Sequence, residues 1–143
     1  MIISMPLFID LERKTKPTKR YYINLNNYRN WHYQVNNKLK AKYKYIVRPA
    51  LYGVKFKYIA LNFILHRGDR RRVDRANILS IHEKFLCDAI VECGCIKDDN
   101  DNFLHSSHYY TGAIDKENPR VDIEVIDFND YIPLSIAVPV TIR

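Results

Sequence analysis

Glycine is scarce: the sequence has four, so dispersed that no glycine-rich, phosphate-cradling loop can form. Cysteine is scarce too. The three present, Cys87, Cys93 and Cys95, are odd in number and crowded into nine positions, which excludes a disulfide framework and fits reduced thiols in a cytoplasmic protein. Cys93 and Cys95 form a Cys-x-Cys pair, yet no second Cys or His pair stands at zinc-site spacing. No run approaches the roughly 20 apolar residues of a membrane span. The apolar opening, Met1–Ile9, has no basic residue ahead of it and does not read as a signal peptide. Neither a serine or cysteine nucleophile with a local base, nor an internal repeat, nor a low-complexity tract is visible.

The most informative absence is of acid. From Arg13 to Lys57 there is no Asp or Glu against thirteen Lys and Arg, and the formal charge of the chain is +7. The balance reverses from Asp98 to Asp130, with nine acids against Lys116 and Arg120. A third block, Arg67 and Arg70–Arg72, precedes Asp74. A long cationic segment attracts polyanions, because each neutralised phosphate releases condensed counterions. Eight of the eleven Tyr, with Trp31, fall between Tyr21 and Tyr58, and aromatics among cations suit contacts to nucleic-acid bases and backbone. The plainer reading is a solvated basic face with its tyrosines packed beneath. With 47% apolar and 27% charged residues over 143 positions, the chain has an ordinary globular composition and the length of one domain.

Patterning predicts a mixed order of strands and helices. Met1–Ile9 and Tyr21–Leu25 read as strands, and Asn26–Asn30 as an Asn-rich turn. A helix is expected from Trp31 to about Val47, with Tyr33, Val35, Leu39 and Tyr43 on one face, ended by Arg48-Pro49. Lys55–His66 reads as a strand with one buried face, and His66–Arg72 as a charged loop. Asp74–Cys93 is the strongest helix, with Gly94 as its stop; strands near Ser107–Thr111 and Arg120–Phe128 follow. The apolar segment 131–143, with two prolines, reads as an edge strand or a partner-docking arm.

The second helix carries a polar stripe. Asn77, Lys84 and Asp88 fall within roughly 40° around the axis, and Asp74 opens the same side. Ile78, Phe85, Leu86, Ala89, Ile90 and Cys93 would face the core. On the residues alone, the favoured reading of Asp74 is an N-cap and that of Lys84–Asp88 an i,i+4 ion pair. His82 falls on the flank of the apolar face and reads as a core or edge histidine. His105 and His108 take no assigned role.

Arg70-Arg71-Arg72-Val73-Asp74-Arg75-Ala76-Asn77-Ile78 leads into this helix, and Lys84-x-x-x-Asp88-Ala89-Ile90-x-x-x-Gly94-x-Ile96-x-Asp98-Asp99 closes it. This resembles the RusA-like family of Holliday junction resolvases, often encoded by phages and prophages. That family's pattern is a basic run, D-x-D-N, a helix with an inward Lys, D-A-L, a Gly and a closing D-D. The match covers roughly residues 70–101, with weaker echoes in Asn24–Trp31 and Arg120–Val125. The resemblance implies an α/β fold of the α+β type: a single domain with a mixed β-sheet and two main helices, working as a homodimer.

It also implies a metal-dependent endodeoxyribonuclease that nicks four-way DNA junctions symmetrically, in recombination, repair or phage DNA processing, with Mg²⁺ (or Mn²⁺) and no small-molecule cofactor. Carboxylate-bound Mg²⁺ can activate water and stabilise charge on a phosphodiester. In this reading Asp74, Asp98 and Asp99 hold the metal, Lys84 contacts the phosphate or positions water, and Asn77 and Asp88 support them. Arg67, Arg70, Arg71, Arg72, Arg75, Lys38 and Lys42 would bind DNA. One departure stands out. Ala76 occupies the position of the family's second acid, and the helix is about one turn longer than the pattern. Unless Asp98, Asp88 or Asp101 substitutes, three accounts stay open: a family branch that manages with fewer acids, a deliberate Asp→Ala change, or, as the alternative function, a nucleic-acid-binding protein that has lost catalysis.

Overall fold

In the computed structural model, which describes residues 1–128, hydrophobic alternation places three strands side by side. β1 (Ile2–Pro6), β4 (Ile59–His66) and β6 (Arg120–Asp127) join β5 (Leu104–Thr111) in a four-stranded sheet of order β1-β6-β4-β5. β6 runs antiparallel to both β1 and β4, whereas β5 runs parallel to β4. The register sets Phe63 opposite Ile123, Leu61 opposite Val125 and Leu65 opposite Val121, so one face is a continuous apolar surface. Period 2 is what produces it: Ile3 and Met5 on β1 extend the same face. The fold is a single α+β unit with a mixed sheet and three helices.

The helices cover that apolar face. α2 (Tyr33–Leu51) buries Leu39, Tyr43, Val47 and Leu51, one residue per turn, against α3 (Arg75–Glu92) and the strands beneath. α3 buries a wider stripe than its pattern predicts: Leu79, Ile81, His82 and Cys87 join Phe85, Leu86, Ala89 and Ile90, while Ile78 and Cys93 are only half-buried. It is wedged between α2 and the β4–β5 pair, so two flanks of the helix are covered rather than one. His82 is completely buried in the core, its Nδ1 3.0 Å from the Tyr43 hydroxyl.

Several boundaries differ from expectation. The first strand breaks at Leu7 into β1 and β2 (Phe8–Leu11), and β2 pairs with β3 (Lys19–Tyr22) as a separate hairpin. The Asn-rich segment is a helix, α1 (Leu25–Asn30), rather than a turn. Asn24 causes this: its side chain accepts from Asn27 N at 2.8 Å and caps the helix. Pro49 lies inside α2 and does not end it at Arg48. The missing N–H falls in the last turn, where burial of Leu51 holds the chain in place. Tyr33, at the first position of α2, is 66% exposed and no part of its buried face. Segment 131–143, expected as an edge strand or arm, lies outside the described residues.

α3 ends in a Schellman arrangement, with Cys95 N bonded to Ile90 O at 3.0 Å and Gly94 N to Val91 O at 2.9 Å. Gly94 takes φ +75°, and a Cβ there would meet Lys55 Nζ at 3.2 Å. Lys55 in turn donates to Gly94 O at 2.7 Å. Gly94→Ala is expected to destabilise by about 1–2 kcal/mol, the cost of a left-handed conformation for a residue with a Cβ. Urea denaturation reads this as a lower midpoint at unchanged m.

Candidate functional site

Asp74 is the N-cap of α3. Its carboxylate accepts from Ala76 N at 3.1 Å and Asn77 N at 3.4 Å, so the helix fixes its position while leaving the side chain exposed. The capping role read from the sequence is thus real, and compatible with a second role for the free carboxylate oxygen. The Asn77 side-chain oxygen accepts from Asn26 N at 3.3 Å, tying α1 to the start of α3. Together these elements wall a cleft of about 460 Å³ lined by Asn26, Arg29, Asp74, Ala76, Asn77 and Ser80. Arg29 is the residue here that pattern reading missed; nothing but the third dimension brings it to the cleft that Asp74 also lines.

The basic loop before Asp74 is only partly free. Arg70, Arg71 and Arg72 are exposed, although Arg71 leans on Asp69 at 3.4 Å. Arg67 is a scaffold residue, donating to Arg71 O at 2.6 Å. Arg75 donates to Thr111 Oγ1 at 2.8 Å, which pins the start of α3 to the C-terminal end of β5. Lys38 and Lys42 stand exposed on α2.

Asp98 and Asp99 lie in the loop after α3. Asp98 spends both carboxylate oxygens locally, accepting from Asp99 N at 2.8 Å and Asn100 Nδ2 at 3.1 Å. Asp99 is exposed and makes no side-chain ion pair or hydrogen bond among the described residues. Asn100 O accepts from Leu104 N at 2.9 Å, so this loop sits at the N-terminal end of β5. Asp74 and Asp99 therefore stand at opposite ends of that strand. Seven steps at about 3.3 Å put them on the order of 20 Å apart in one chain. Among the described residues no three His, Cys, Asp or Glu side chains come together as a metal-binding group. A single subunit does not fit a Mg²⁺ site built from Asp74, Asp98 and Asp99.

The polar stripe of α3 is also divided. Asp88 pairs with Lys40 of α2 at 3.2 Å and not with Lys84, because α2 packs alongside and offers a nearer cation. Lys44 pairs with Glu92 in the same seam at 2.6 Å. Lys84 is exposed and makes no ion pair among the described residues, which leaves its ammonium available. Glu83, unmarked by the sequence pattern, accepts a hydrogen bond from the Tyr109 hydroxyl on β5. Burial pushes the Cys87 thiol up to about 12, with the charges of Glu83, Asp99 and Asp88 adding to the effect. Cys87 is thereby a packed, unreactive thiol.

The chain matches no family model and no curated protein. No helix among the described residues is long and apolar enough to cross a membrane.

Proposed function

We propose that the protein is a Mg²⁺-dependent, structure-specific endodeoxyribonuclease of RusA-like type that resolves four-way DNA junctions in the cytoplasm as a homodimer. The observation that carries this reading is the placement of the resemblance motif on the fold. Asp74 caps α3 beside exposed Arg70–Arg72, and the D-A-I-x-x-x-G-x-I-x-D-D stretch spans the end of α3, the Gly94 turn and the acid loop, which supports the reading.

Separation of the acids within one chain bears directly on the assembly. Among the described residues β5 has a neighbour on one side only, β4. A second copy added antiparallel to that free edge, across a twofold axis, would set the Leu104 end of one β5 against the Thr111 end of the other. Asp74 would then approach Asp98 of the partner subunit and Asp99 of the partner subunit, and those three carboxylates are the residues that would hold Mg²⁺. Two such sites, related by the same axis, suit two symmetrical nicks. Within the chain, Lys84 and the cleft residue Arg29 offer cations to a phosphate, and Arg70–Arg72 with Lys38 and Lys42 offer backbone contacts.

Ala76 favours a second reading, a junction-binding protein without catalysis, since this methyl lies in the cleft beside Asp74 where the family pattern has an acid. Labelled four-way junction and plain duplex, each incubated with and without Mg²⁺, separate the two. Metal-dependent symmetrical nicks in the junction support the nuclease; tight binding without product supports the binding protein.

Either reading expects binding to weaken steeply with salt. Replacing Arg70, Arg71 and Arg72 together by Gln is expected to reduce the slope of log K against log salt by up to about 2.7, near 0.9 for each phosphate that is no longer neutralised. A salt titration of junction binding reads this directly, and an unchanged slope would remove the loop from the DNA interface.

A further inference from the structure

The outward face of α2 has no role in the fold or in the cleft. Tyr45 is 72% and Tyr52 82% exposed, although each ring would bury favourably against apolar surface. Both, Tyr52 as the C-cap that follows Leu51, lie roughly 160–180° around the helix axis from the core residue Tyr43, and Lys38 and Arg48 flank them at about 140°. Along the axis Lys38, Tyr45 and Tyr52 follow at intervals of about 10.5 Å. α2 carries no acid at all. The cations that face α3, Lys40 and Lys44, are engaged by Asp88 and Glu92, whereas Lys38 and Arg48 make no ion pair among the described residues. Lys42, on the flank toward the β2–β3 hairpin, lies near Asp10, which Arg20 already holds at 3.0 Å.

We infer that this face is a binding site for unpaired single-stranded nucleic acid, with Tyr45 and Tyr52 as stacking platforms for bases and Lys38, Lys42 and Arg48 as contacts to the phosphates. Charge selects a polyanion over a neutral or basic protein. The rings select unpaired strands over duplex, because bases within a duplex already stack on one another and offer no free face. Large aliphatic surface, which a protein partner would use, is slight here: Ile46, at 37% exposure, is set about 100–120° around the helix from the two tyrosines, and the small methyl of Ala41 lies nearer to them. The site lies on the opposite side of α3 from β5, so it stays open in the homodimer proposed above. It extends the proposed function to unpaired DNA, yet rests on α2 alone and on neither Asp74 nor Asp99.

The test uses the full chain and a labelled oligothymidylate of about 20 nucleotides, longer than the 4–16 nucleotides typical of one single-strand site, followed by fluorescence anisotropy beside a duplex of equal length. Tyr45→Ala with Tyr52→Ala is expected to weaken oligothymidylate binding by at least about 30-fold, from two lost stacks, while duplex affinity and salt slope stay unchanged. Tyr45→Phe with Tyr52→Phe keeps the rings and is expected to bind like the parent. Unchanged oligothymidylate binding by the double alanine variant would overturn the inference, as would equal losses for oligothymidylate and duplex. Altered sedimentation of that variant, with single-strand binding intact, would overturn it in favour of a protein interface. Junction cleavage by the parent is measured in parallel. Ring-dependent binding without any cleavage would uphold this site and refute the nuclease.

Discussion

A one-to-one mixture of the Asp74→Asn and Asp99→Asn proteins is expected to nick four-way junctions, although each variant alone is expected to fall by at least about 10³-fold. That loss corresponds to several kcal/mol of transition-state stabilisation by a carboxylate-held metal. The recovery follows from the separation of the two acids along β5. If a site takes Asp74 from one subunit and Asp99 of the partner subunit, a mixed dimer carries one site with both substitutions and one with neither. Random pairing then leaves about a quarter of all sites intact. An active centre confined to one chain predicts no recovery whatever the mixing. Asparagine is the right replacement at both positions. It caps a helix as well as aspartate does, so Asp74→Asn keeps the acceptor for Ala76 N and Asn77 N that Asp74→Ala would lose at a cost of about 1 kcal/mol. At Asp99 the loop's own bonds belong to Asp98 and remain. The readout is product on a denaturing gel with junction binding measured alongside. A dead mixture that still binds would sink the shared site, and Asp99→Asn cutting at the parental rate would sink the acid assignment altogether.

Acid should unfold the protein through His82. Burial lowers its pKa to about 3, from an ordinary value near 6.5. The imidazole is neutral in the folded chain, so below pH 6.5 the unfolded chain binds a proton that the folded chain refuses. Stability therefore rises with pH across this window and is lost as pH falls. The slope is about 1.4 kcal/mol per pH unit, so a change from pH 7 to pH 5 is expected to remove about 2 kcal/mol, and nearly twice that by pH 4. Asp10 and Asp115, whose carboxyls are held below the usual range by hydrogen bonds from Arg20 and Arg120, add their own losses only at about pH 4 and below. His82→Asn provides the control. It places an acceptor oxygen near the Tyr43 hydroxyl, and its lower absolute stability is expected to be flat between pH 7 and 5. Urea midpoints at several pH values read both curves. A parent as flat as the variant would show that His82 takes up its proton without unfolding.

Much of the scaffold was legible because period and burial coincide. Val121, Ile123 and Val125 alternate on β6 and are buried, and Asp74, Gly94 and the apolar stripe between them bound α3 to within a residue. Failures have local causes. Asn26–Asn30 reads as a turn because Asn favours turns, and the Asn24 cap that makes the segment a helix uses the same side-chain chemistry. Pro49 misled because its local cost, the lost bond to the Tyr45 carbonyl and the ring's clash there, is outweighed by the burial of Val47 and Leu51 on either side of it.

At the candidate site the sequence revealed residue types but not partners. Lys84–Asp88 satisfies every rule for a pair within one helix, yet Lys40 arrives from α2. Arg29 and Glu83 carry no local signature at all; only tertiary packing brings Arg29 to the cleft lined by Asp74 and Glu83 to Tyr109. The distance between Asp74 and Asp99 was equally hidden, since an 18-residue helix separates them in sequence and says nothing of whether the chain after it turns back.

The manner in which Asp98 spends its oxygens has a further consequence. Because its hydrogen bonds close the turn 98–100 from within, the acid loop takes its shape during folding and does not wait for a cation to impose it. In the proposed site a chelator should then remove the ion without unfolding this loop, lowering the melting temperature only through the binding free energy that is lost, and loading would carry little entropic penalty of ordering. Asp98 is the mould of the loop, and Asp99 the hand it leaves free.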